Sequence, residues 1–344
     1  MSIKEADVPS LKKARVLVTG GGGFLGKAVI KRLLRYTSNI RSLGRNLYPE
    51  LDDLGVEQVQ GDISDLAAVE YACRQRTVVF HAAAKTGGMW GAYQGFHETN
   101  VVGTRNIIEA CKQQEISCLI HTSSPSVVYG GNADVTGVDE SAPYPDQYQT
   151  AYQDTKAQAE RLVVQACEEG VVRAIILRPH LIWGPGDTHF VPRIIKQAKT
   201  LRRVGDGKNR IDTTYIDNAV QAHILAAEKL MLNQQLSGRI YFISQGEPIY
   251  LWEMVNHLLA AAGQAPVTKS IPKELAYFIG WVLECFYKGL GITSEPRMTR
   301  FLANELSRSH WFDISAAKRD LGYIPEVSIT HGLKQLKDWM ATWN

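Results

Sequence analysis

The stretch Arg15–Arg35, RVLVTGGGGFLGKAVIKRLLR, constrains the fold more than any other. Arg15–Thr19 is a short, apolar, β-branched run, the profile of a buried parallel strand. After four consecutive glycines, Phe24, Leu25, Val29, Ile30, Leu33 and Leu34 recur at helical spacing, with Lys27, Lys31, Arg32 and Arg35 between them. The order is strand, glycine turn, helix. A helix entered from such a turn presents unpaired N–H groups and the positive end of its dipole, which suits a phosphate. Two glycine templates fit, Gly21-x-Gly23-x-x-Gly26 and the wider Thr19-Gly20-x-x-Gly23-x-x-Gly26. In both, Gly23 lets backbone approach a pyrophosphate and Gly26 lets the helix pack tightly on the strand, with Phe24 and Leu25 in the turn between them. The plain alternative is a glycine-rich turn with no ligand.

The same alternation continues. Strand patterns recur at Asn39–Leu43, Glu57–Gln60, Thr77–Ala83, Cys118–Ser124, Arg173–Arg178 and Arg239–Ser244. Helical patterns run through Lys27–Arg35, Leu66–Arg74, Asn100–Gln113, Tyr152–Glu168 and Asn218–Leu232. This predicts an α/β protein with a doubly wound parallel sheet of the Rossmann type, its ligands beyond the carboxyl ends of the strands. From Pro179 the alternation lapses, and after residue 244 the pattern is mostly helical and apolar. Residues 1–180 and 212–244 are therefore expected to form the dinucleotide-binding domain, and 181–211 with 245–344 a smaller, mainly helical substrate-binding region.

Composition narrows the partners. A net charge of +3 on 344 residues is too small to imply nucleic acid, and no nucleic-acid-reading motif is present. The cysteines Cys73, Cys111, Cys118, Cys167 and Cys285 lie without metal or C-x-x-C spacing and read as reduced core thiols of a cytosolic chain. The opening MSIKEADVPSLKK carries charges where a signal peptide needs an apolar core, so no export is expected and the location is cytoplasmic. The nine histidines, His81, His121, His180 and His189 among them, show no metal spacing, so no metal is expected. LAYFIGWVLECFYKGLG, residues 275–291, is the most apolar run. Glu284 and Lys288 interrupt it, and it falls short of the roughly 20 apolar residues of a membrane span. Three readings stay open: a helix packed on the protein, a greasy lid, or a helix making peripheral contact with a membrane.

The chemistry lies in two later segments. YQTAYQDTKAQAERLV places Tyr152 and Lys156 one turn apart on one helix face. A phenol is a poor acid or base at neutral pH, and a neighbouring ammonium lowers its pKa, after which it can pass a proton to or from an alcohol or carbonyl oxygen. CLIHTSSPSVVYG is a buried strand ending in the hydroxyls of Thr122, Ser123, Ser124 and Ser126, one of which can hold a substrate oxygen beside the tyrosine. Some of these hydroxyls are expected to satisfy only their own backbone. Glycine turn, hydroxyl-tipped strand and Tyr/Lys helix converge on one site.

In that order the motifs resemble the extended short-chain dehydrogenase/reductase superfamily. HAAA at His81–Ala84, NVVGT at Asn100–Thr104, LRPHLIWGPGD at Leu177–Asp187, GDGKNRIDTTYIDNAVQAH at Gly205–His223 and DISAAKRDLGYIPEVSITHGL at Asp313–Leu333 extend the resemblance over nearly the whole chain. Within the superfamily it is most similar to the 3β-hydroxysteroid dehydrogenase branch, which includes sterol-4-carboxylate dehydrogenases. TSSPSVV, RPHLIWGPGD and MTRFLANELSRSHWFDIS point further, to bacterial reductases of long-chain 2-alkyl-3-oxoalkanoic acids in olefin synthesis. The resemblance implies that Tyr152 is the general acid or base. It implies that Lys156 lowers the Tyr152 pKa and holds the nicotinamide ribose, and that Ser124 polarises the carbonyl. It places Gly20, Gly23, Phe24, Leu25 and Gly26 at the pyrophosphate, Asp62 and Ile63 at adenine, Ala82 and Ala83 along the cofactor, and Pro179 to Ile182 at the nicotinamide. Asn100 is assigned to the cofactor too, although a structural role at a helix start fits it equally. A homodimer through the helices of Asn100 and Tyr152 is also implied.

The residues themselves favour NADP, with NAD as the alternative. At the end of the second strand stand Gly44 and Arg45, where NAD-binding relatives place a carboxylate for the ribose 2′-OH. A guanidinium there can bind a 2′-phosphate, with Arg41 as a helper unless strand alternation turns it away. Phe278, Trp281, Phe286, Tyr287, Phe301 and Trp311 suggest an apolar wall, about half of them being core. The segment from Leu275 to Gly291 is expected to cover an apolar channel to Tyr152, with Arg193 or His180 as partners for a substrate carboxylate. The expected function is interconversion of a ketone and a secondary alcohol on a large apolar substrate, a long-chain 2-alkyl-3-oxoacid or a 3-ketosteroid. Two rivals remain: a nucleotide-sugar epimerase of the same superfamily, and a cofactor-sensing protein that is not an enzyme.

Overall fold

The computed structural model describes residues 8–86, 92–131, 133–292 and 294–343. The first seven residues of the opening read above for export, and the outer limits 1 and 344 of the two expected domains, lie outside them. Seven strands form the central sheet: β1 Val16–Thr19, β2 Ile40–Gly44, β3 Glu57–Gln60, β4 Val78–His81, β5 Cys118–Thr122, β6 Ala174–Pro179 and β7 Ile240–Ile243. Their order is β7-β6-β5-β4-β1-β2-β3, and every pairing is parallel. All seven lie where the strand patterns predicted them. The order reverses between β1 and β4, the crevice where doubly wound sheets bind their ligands.

Side-chain alternation assigns the two faces of the sheet. Val16, Val18, Val78, Phe80 and Ile120 point to one face and pack with α1 (Phe24–Leu33) and with Val220 and Ile224 of a long helix, Ile216–Leu232. Leu17, Val79, Leu119 and Ile176 point to the other, under α2 (Leu66–Cys73), α3 (Gly103–Gln113) and α4 (Ala151–Glu168). With both faces covered, the inner strands β1, β4, β5 and β6 are fully or almost fully buried, whereas the edge strand β3, EQVQ, is partly exposed. The helix predicted from Asn100 begins as a π-helical turn, Glu98–Val102, before α3.

The remaining chain caps the carboxyl edge. Val135–Val138 pairs in parallel with His310–Phe312, which pairs with Arg210–Ile211, itself antiparallel to Ile249–Tyr250. Val135–Val138, which the sequence boundary at 180 groups with the dinucleotide-binding part, thus sits in a sheet with strands from beyond 245. Cys285 is exposed and Cys167 half-buried, so only Cys73, Cys111 and Cys118 are core thiols. Among the described residues no helix is long and apolar enough to cross a membrane.

The apolar segment near 280 forms α5 (Lys273–Gly289) and departs from expectation. Only Ala276, Gly280 and Glu284 on it are fully buried. They face α6 (Arg300–Glu305), whose approach is so close that a Cβ on Gly280 would lie 2.5 Å from the Thr299 carbonyl carbon. This seam of small residues turns Leu275, Phe278, Trp281, Val282 and Phe286 outward into solvent. They do not form a wall towards Tyr152. Of the other expected wall residues, Phe301 is core and Trp311 half-buried.

Candidate active site

β5 ends at Thr122, and the chain turns at once into a 3-10 turn, Pro125–Val128, capped by Ser124. The Ser124 hydroxyl accepts the Ser126 N–H at 3.2 Å and lies 2.9 Å from the Ser126 hydroxyl. α4 begins opposite, fixed by a capping box in which Thr150 and Gln153 satisfy each other's backbone N–H groups. Gln153 also donates to the Tyr129 carbonyl at 2.7 Å, tying the start of α4 to the turn after β5. Tyr152 is thereby presented to Ser124, whose hydroxyl acts on the phenol. One turn on, the buried Lys156 ammonium donates to the Thr122 carbonyl at 2.7 Å. Sequence order brought three residues together, and the fold places them at the end of one strand.

Electrostatics corrects one expectation. Burial pushes the Tyr152 phenol above its ordinary pKa, and the Ser124 hydrogen bond opposes that push. The ammonium expected to lower the phenol is committed to Thr122. Burial moves the Lys156 pKa down to about 8, against the attraction of Glu160. Thr122 is braced from its side chain as well, 2.9 Å from His223 Nε2, whose Nδ1 lies 2.7 Å from the Ala219 carbonyl. Burial holds His223 neutral, with its pKa near 4. Ser123, the neighbouring candidate, is buried with its hydroxyl unbonded.

The glycine turn fits a dinucleotide. Gly20 has φ +71°, and a Cβ there would meet the Ala83 backbone at 2.9 Å. A Cβ on Gly26 would lie 2.3 Å from the Gly20 carbonyl oxygen, so both positions require glycine. Gly23 is the N-cap of α1 and offers no side-chain cap, so the N–H groups of Phe24, Leu25 and Gly26 open a helix end suited to phosphate. Ala83 donates its N–H to Thr19, whose hydroxyl lies 2.8 Å from His81, and this fixes Ala82 and Ala83 beside the turn. Asp62 Oδ1 accepts the N–H and hydroxyl of Ser64. The Ile63 side chain packs under Gly103 in the core. Arg45 is exposed just beyond β2. Arg41 is turned away, its guanidinium donating to the Tyr71, Ala72 and Arg74 carbonyls at the end of α2. Pro179 ends β6, and Leu181, held at φ +40°, kinks the chain before Ile182 pairs with Thr214.

Asn100 follows the structural alternative. Its amide accepts from Lys85 N at 2.8 Å and donates to Lys85 O at 3.2 Å and to Thr155 at 3.1 Å. It braces the loop after β4 against α4. Both proposed carboxylate partners are also engaged: Arg193 pairs with Glu295 at 3.3 Å, and His180 is bound to Asp212.

That last pair opens a network that spacing did not reveal. His180 Nε2 lies 3.2 Å from His310 Nδ1, and Asp212 accepts the Phe312 N–H. Glu305 and Tyr129 close the group. Burial raises Glu305 to about 7, opposed by the nearby His180 and Tyr129. Burial also lowers His310 to about 3. The network joins the end of β6 to the small sheet. A cavity of about 450 Å³ lined by Lys31, Arg32, Arg35 and Asp217 lies elsewhere and touches none of Ser124, Tyr152 or Lys156.

Comparison with known proteins agrees with this geometry. Residues 17–272 match the 3-beta hydroxysteroid dehydrogenase/isomerase family. The chain is 45% identical over 326 residues to a 2-alkyl-3-oxoalkanoate reductase of Stenotrophomonas maltophilia, covering 94% of this chain and 98% of that one. It is 43% identical over 340 residues to a protein of the same name from Shewanella oneidensis, covering 96% and 87%. A UDP-glucuronic acid 4-epimerase of Bacillus cereus, solved with NAD, shares the fold at a TM-score of 0.72 and 23% identity, over 95% of this chain and 99% of that one. The chain belongs to the 3-beta hydroxysteroid dehydrogenase/isomerase family.

Proposed function

We propose that the protein is an NAD(P)-dependent oxidoreductase that interconverts a ketone and a secondary alcohol on a large apolar substrate, a long-chain 2-alkyl-3-oxoacid or a sterol. The observation that carries this reading is Tyr152 set beside Ser124, with Lys156 one turn on donating to the Thr122 carbonyl, at the carboxyl end of β5. Ser124 orients and polarises the substrate oxygen, and Tyr152 gives it a proton in reduction or takes one in oxidation. The bound nicotinamide supplies hydride chemistry at the carbonyl carbon. The turn Gly20–Gly26 holds the pyrophosphate, Asp62 the adenine, Lys156 the ribose, and Pro179 to Ile182 the nicotinamide side. Arg45 favours NADP.

The substrate class rests on the names of the relatives, including sterol-4-alpha-carboxylate 3-dehydrogenase of Candida albicans, 31% identical over 343 residues. The reading also includes a cytoplasmic homodimer through α3 and α4, peripheral membrane contact through 275–291, and the two-part division at 180, 212 and 244. The rival epimerase reading draws on the fold alone. A panel followed by NADPH absorbance decides between them: 2-alkyl-3-oxoacids of rising chain length, 3-ketosteroids and UDP-sugars. Each methylene buried in a site is worth about 0.8 kcal/mol, so kcat/KM is expected to climb with chain length. Faster turnover of a UDP-sugar, or a flat chain-length profile, overturns the reading.

A further inference from the structure

Both glycine templates leave Gly22 as a free position. Its φ lies outside the left-handed region, so its backbone would admit a side chain. What excludes one is a ring. A Cβ on Gly22 would lie 2.5 Å from Cδ2 of Tyr48 and closer still to Cε2 and Cζ. Tyr48 thus rests against the glycine turn, while Asn46 and Leu47 before it stay exposed. The loop that carries it, between β2 and β3, is fastened on both sides. Tyr48 donates its N–H to Gln58 Oε1 at 2.9 Å, and the Gln58 amide donates back to the Tyr48 carbonyl at 3.0 Å. Gln60, also on β3, donates to the Arg45 carbonyl at 3.0 Å. Glu50 binds Lys27 and Lys31 of α1 at 2.7 and 2.6 Å. These bonds hold the Tyr48 ring, Arg45 and the start of α1 in one fixed arrangement.

We propose that Tyr48 is a specificity-determining residue for the cofactor: its hydroxyl donates to the 2′-phosphate of the adenosine ribose and encloses it together with Arg45. This rests on the NADP preference proposed above and adds a second residue to it. Placement supports it first. Gly22 precedes Gly23, the N-cap of α1 at the proposed pyrophosphate site, and Arg45 follows β2, which pairs with β1. A ring seated on Gly22, three residues after Arg45, stands between the pyrophosphate turn and the guanidinium, and the adenosine ribose spans that interval. Bonding supports it next. Among the described residues Tyr48 and Arg45 hydrogen-bond through backbone atoms alone, which leaves the phenol hydroxyl and the guanidinium for a ligand. Charge is consistent. Glu50, the nearest acid after Tyr48 in the chain, has its charge met by Lys27 and Lys31, whose hydrogen bonds hold its carboxyl down at about 2. Lys27 Nζ also lies 6.0 Å from the centre of the Tyr48 ring. A phosphate accepts from a phenol more strongly than an uncharged ribose hydroxyl does, so this contact discriminates between the two cofactors.

The test is calorimetric titration of the full chain with 2′,5′-ADP and with 5′-AMP, which differ only in the 2′-phosphate and require no turnover. Wild type is expected to bind 2′,5′-ADP the more tightly. Tyr48→Phe keeps the ring on Gly22 and removes only the hydroxyl. It should bind 2′,5′-ADP about tenfold less tightly and 5′-AMP with little change. The seating of the ring is checked by melting. Gly22→Ala drives a methyl group into the ring and should lower Tm, and the same substitution made in Tyr48→Ala should lower it less, because the space is then open. Equal falls in both backgrounds overturn the seating. Tyr48→Phe that binds 2′,5′-ADP like wild type, or weakens equally for both nucleotides, overturns the phosphate contact. Tyr48→Ala that binds 2′,5′-ADP more tightly than wild type overturns it too, since the ring would then be an obstacle. Wild type that binds both nucleotides alike removes instead the NADP preference itself, and Tyr48 falls with Arg45. A preference for 2′,5′-ADP that depends on Arg45 and not on Tyr48 leaves that preference standing and refutes only the role of Tyr48.

Discussion

Glu160→Gln tests how the catalytic helix is held and tuned. Glu160, in the third turn of α4, and Arg178, on β6, are 0% and 1% exposed. The carboxylate accepts Arg178 Nε at 3.0 Å, Nη2 at 2.5 Å and the Tyr144 hydroxyl at 2.7 Å. Burial opposes the guanidinium's charge, but Glu160 outweighs it and raises the Arg178 pKa. The Phe242 ring lies 5.1 Å from the buried guanidinium. Glutamine keeps the shape and removes the charge, leaving an uncompensated buried cation. Breaking such a pair costs about 3–5 kcal/mol. With an unfolding entropy near 0.7 kcal/mol per kelvin for 344 residues, Tm should fall by roughly 4–7 °C. The same substitution acts on the site. Glu160 is the group that opposes the burial-driven fall of the Lys156 pKa, so its loss moves that pKa further below about 8. Activity that needs the ammonium is lost as pH rises through that value, and the alkaline limb should shift to lower pH. Calorimetry and a pH profile of kcat/KM measure both effects. Glu160→Met with Arg178→Met should recover much of the Tm, because two apolar side chains leave no buried charge. An unchanged Tm in Glu160→Gln, or an alkaline limb that moves up, refutes the reasoning.

Tyr152→Phe should lower turnover by about 10²–10⁴-fold while cofactor affinity, read by fluorescence titration, stays near wild type; retention of a tenth of the activity would remove Tyr152 from the chemistry. Arg45→Ala should cut kcat/KM for NADPH and leave NADH unchanged, because the partner proposed for this exposed guanidinium is the 2′-phosphate that NADH lacks; equal losses with both cofactors count against it. Glu305→Gln should stabilise the protein at pH 8 by about 1–3 kcal/mol. The folded state holds the Glu305 proton up to about 7 while the unfolded chain releases it near 4.5, so the wild-type protein loses stability as pH rises across that window. Denaturant melts of both proteins at pH 5 and pH 8 check the sign, and a gap that widens towards acid would reverse it.

How much the sequence disclosed follows from the range of the interactions involved. The seven strands and the glycine turn were legible because period and turn chemistry are local, and parallel topology then puts Gly20, Ala83, Ser124 and Pro179 on one edge. Tyr152 and Lys156 were legible because helix geometry alone sets them on one face. Strand alternation left the direction of the Arg41 side chain open, and its bonds to the carbonyls at the end of α2 decide it. Asn100 was ambiguous because an amide's role depends on its partners, and Lys85 and Thr155 lie 15 and 55 residues away in sequence. The His180–His310 contact spans 130 residues, and spacing carries no trace of it.

The orientation of α5 failed for a different reason. An apolar run marks a surface that avoids water, but it does not say whether protein, substrate or lipid will take water's place. The deciding signal was present in the smallest residues. Ala276 and Gly280, four apart, with Glu284 four further on, form one stripe, and only a stripe of small side chains allows the backbone approach seen at Thr299. Such a stripe fixes which side of a helix meets the protein. The large residues must then face the other way, so on this chain the greasiest segment is the one that its own fold leaves uncovered.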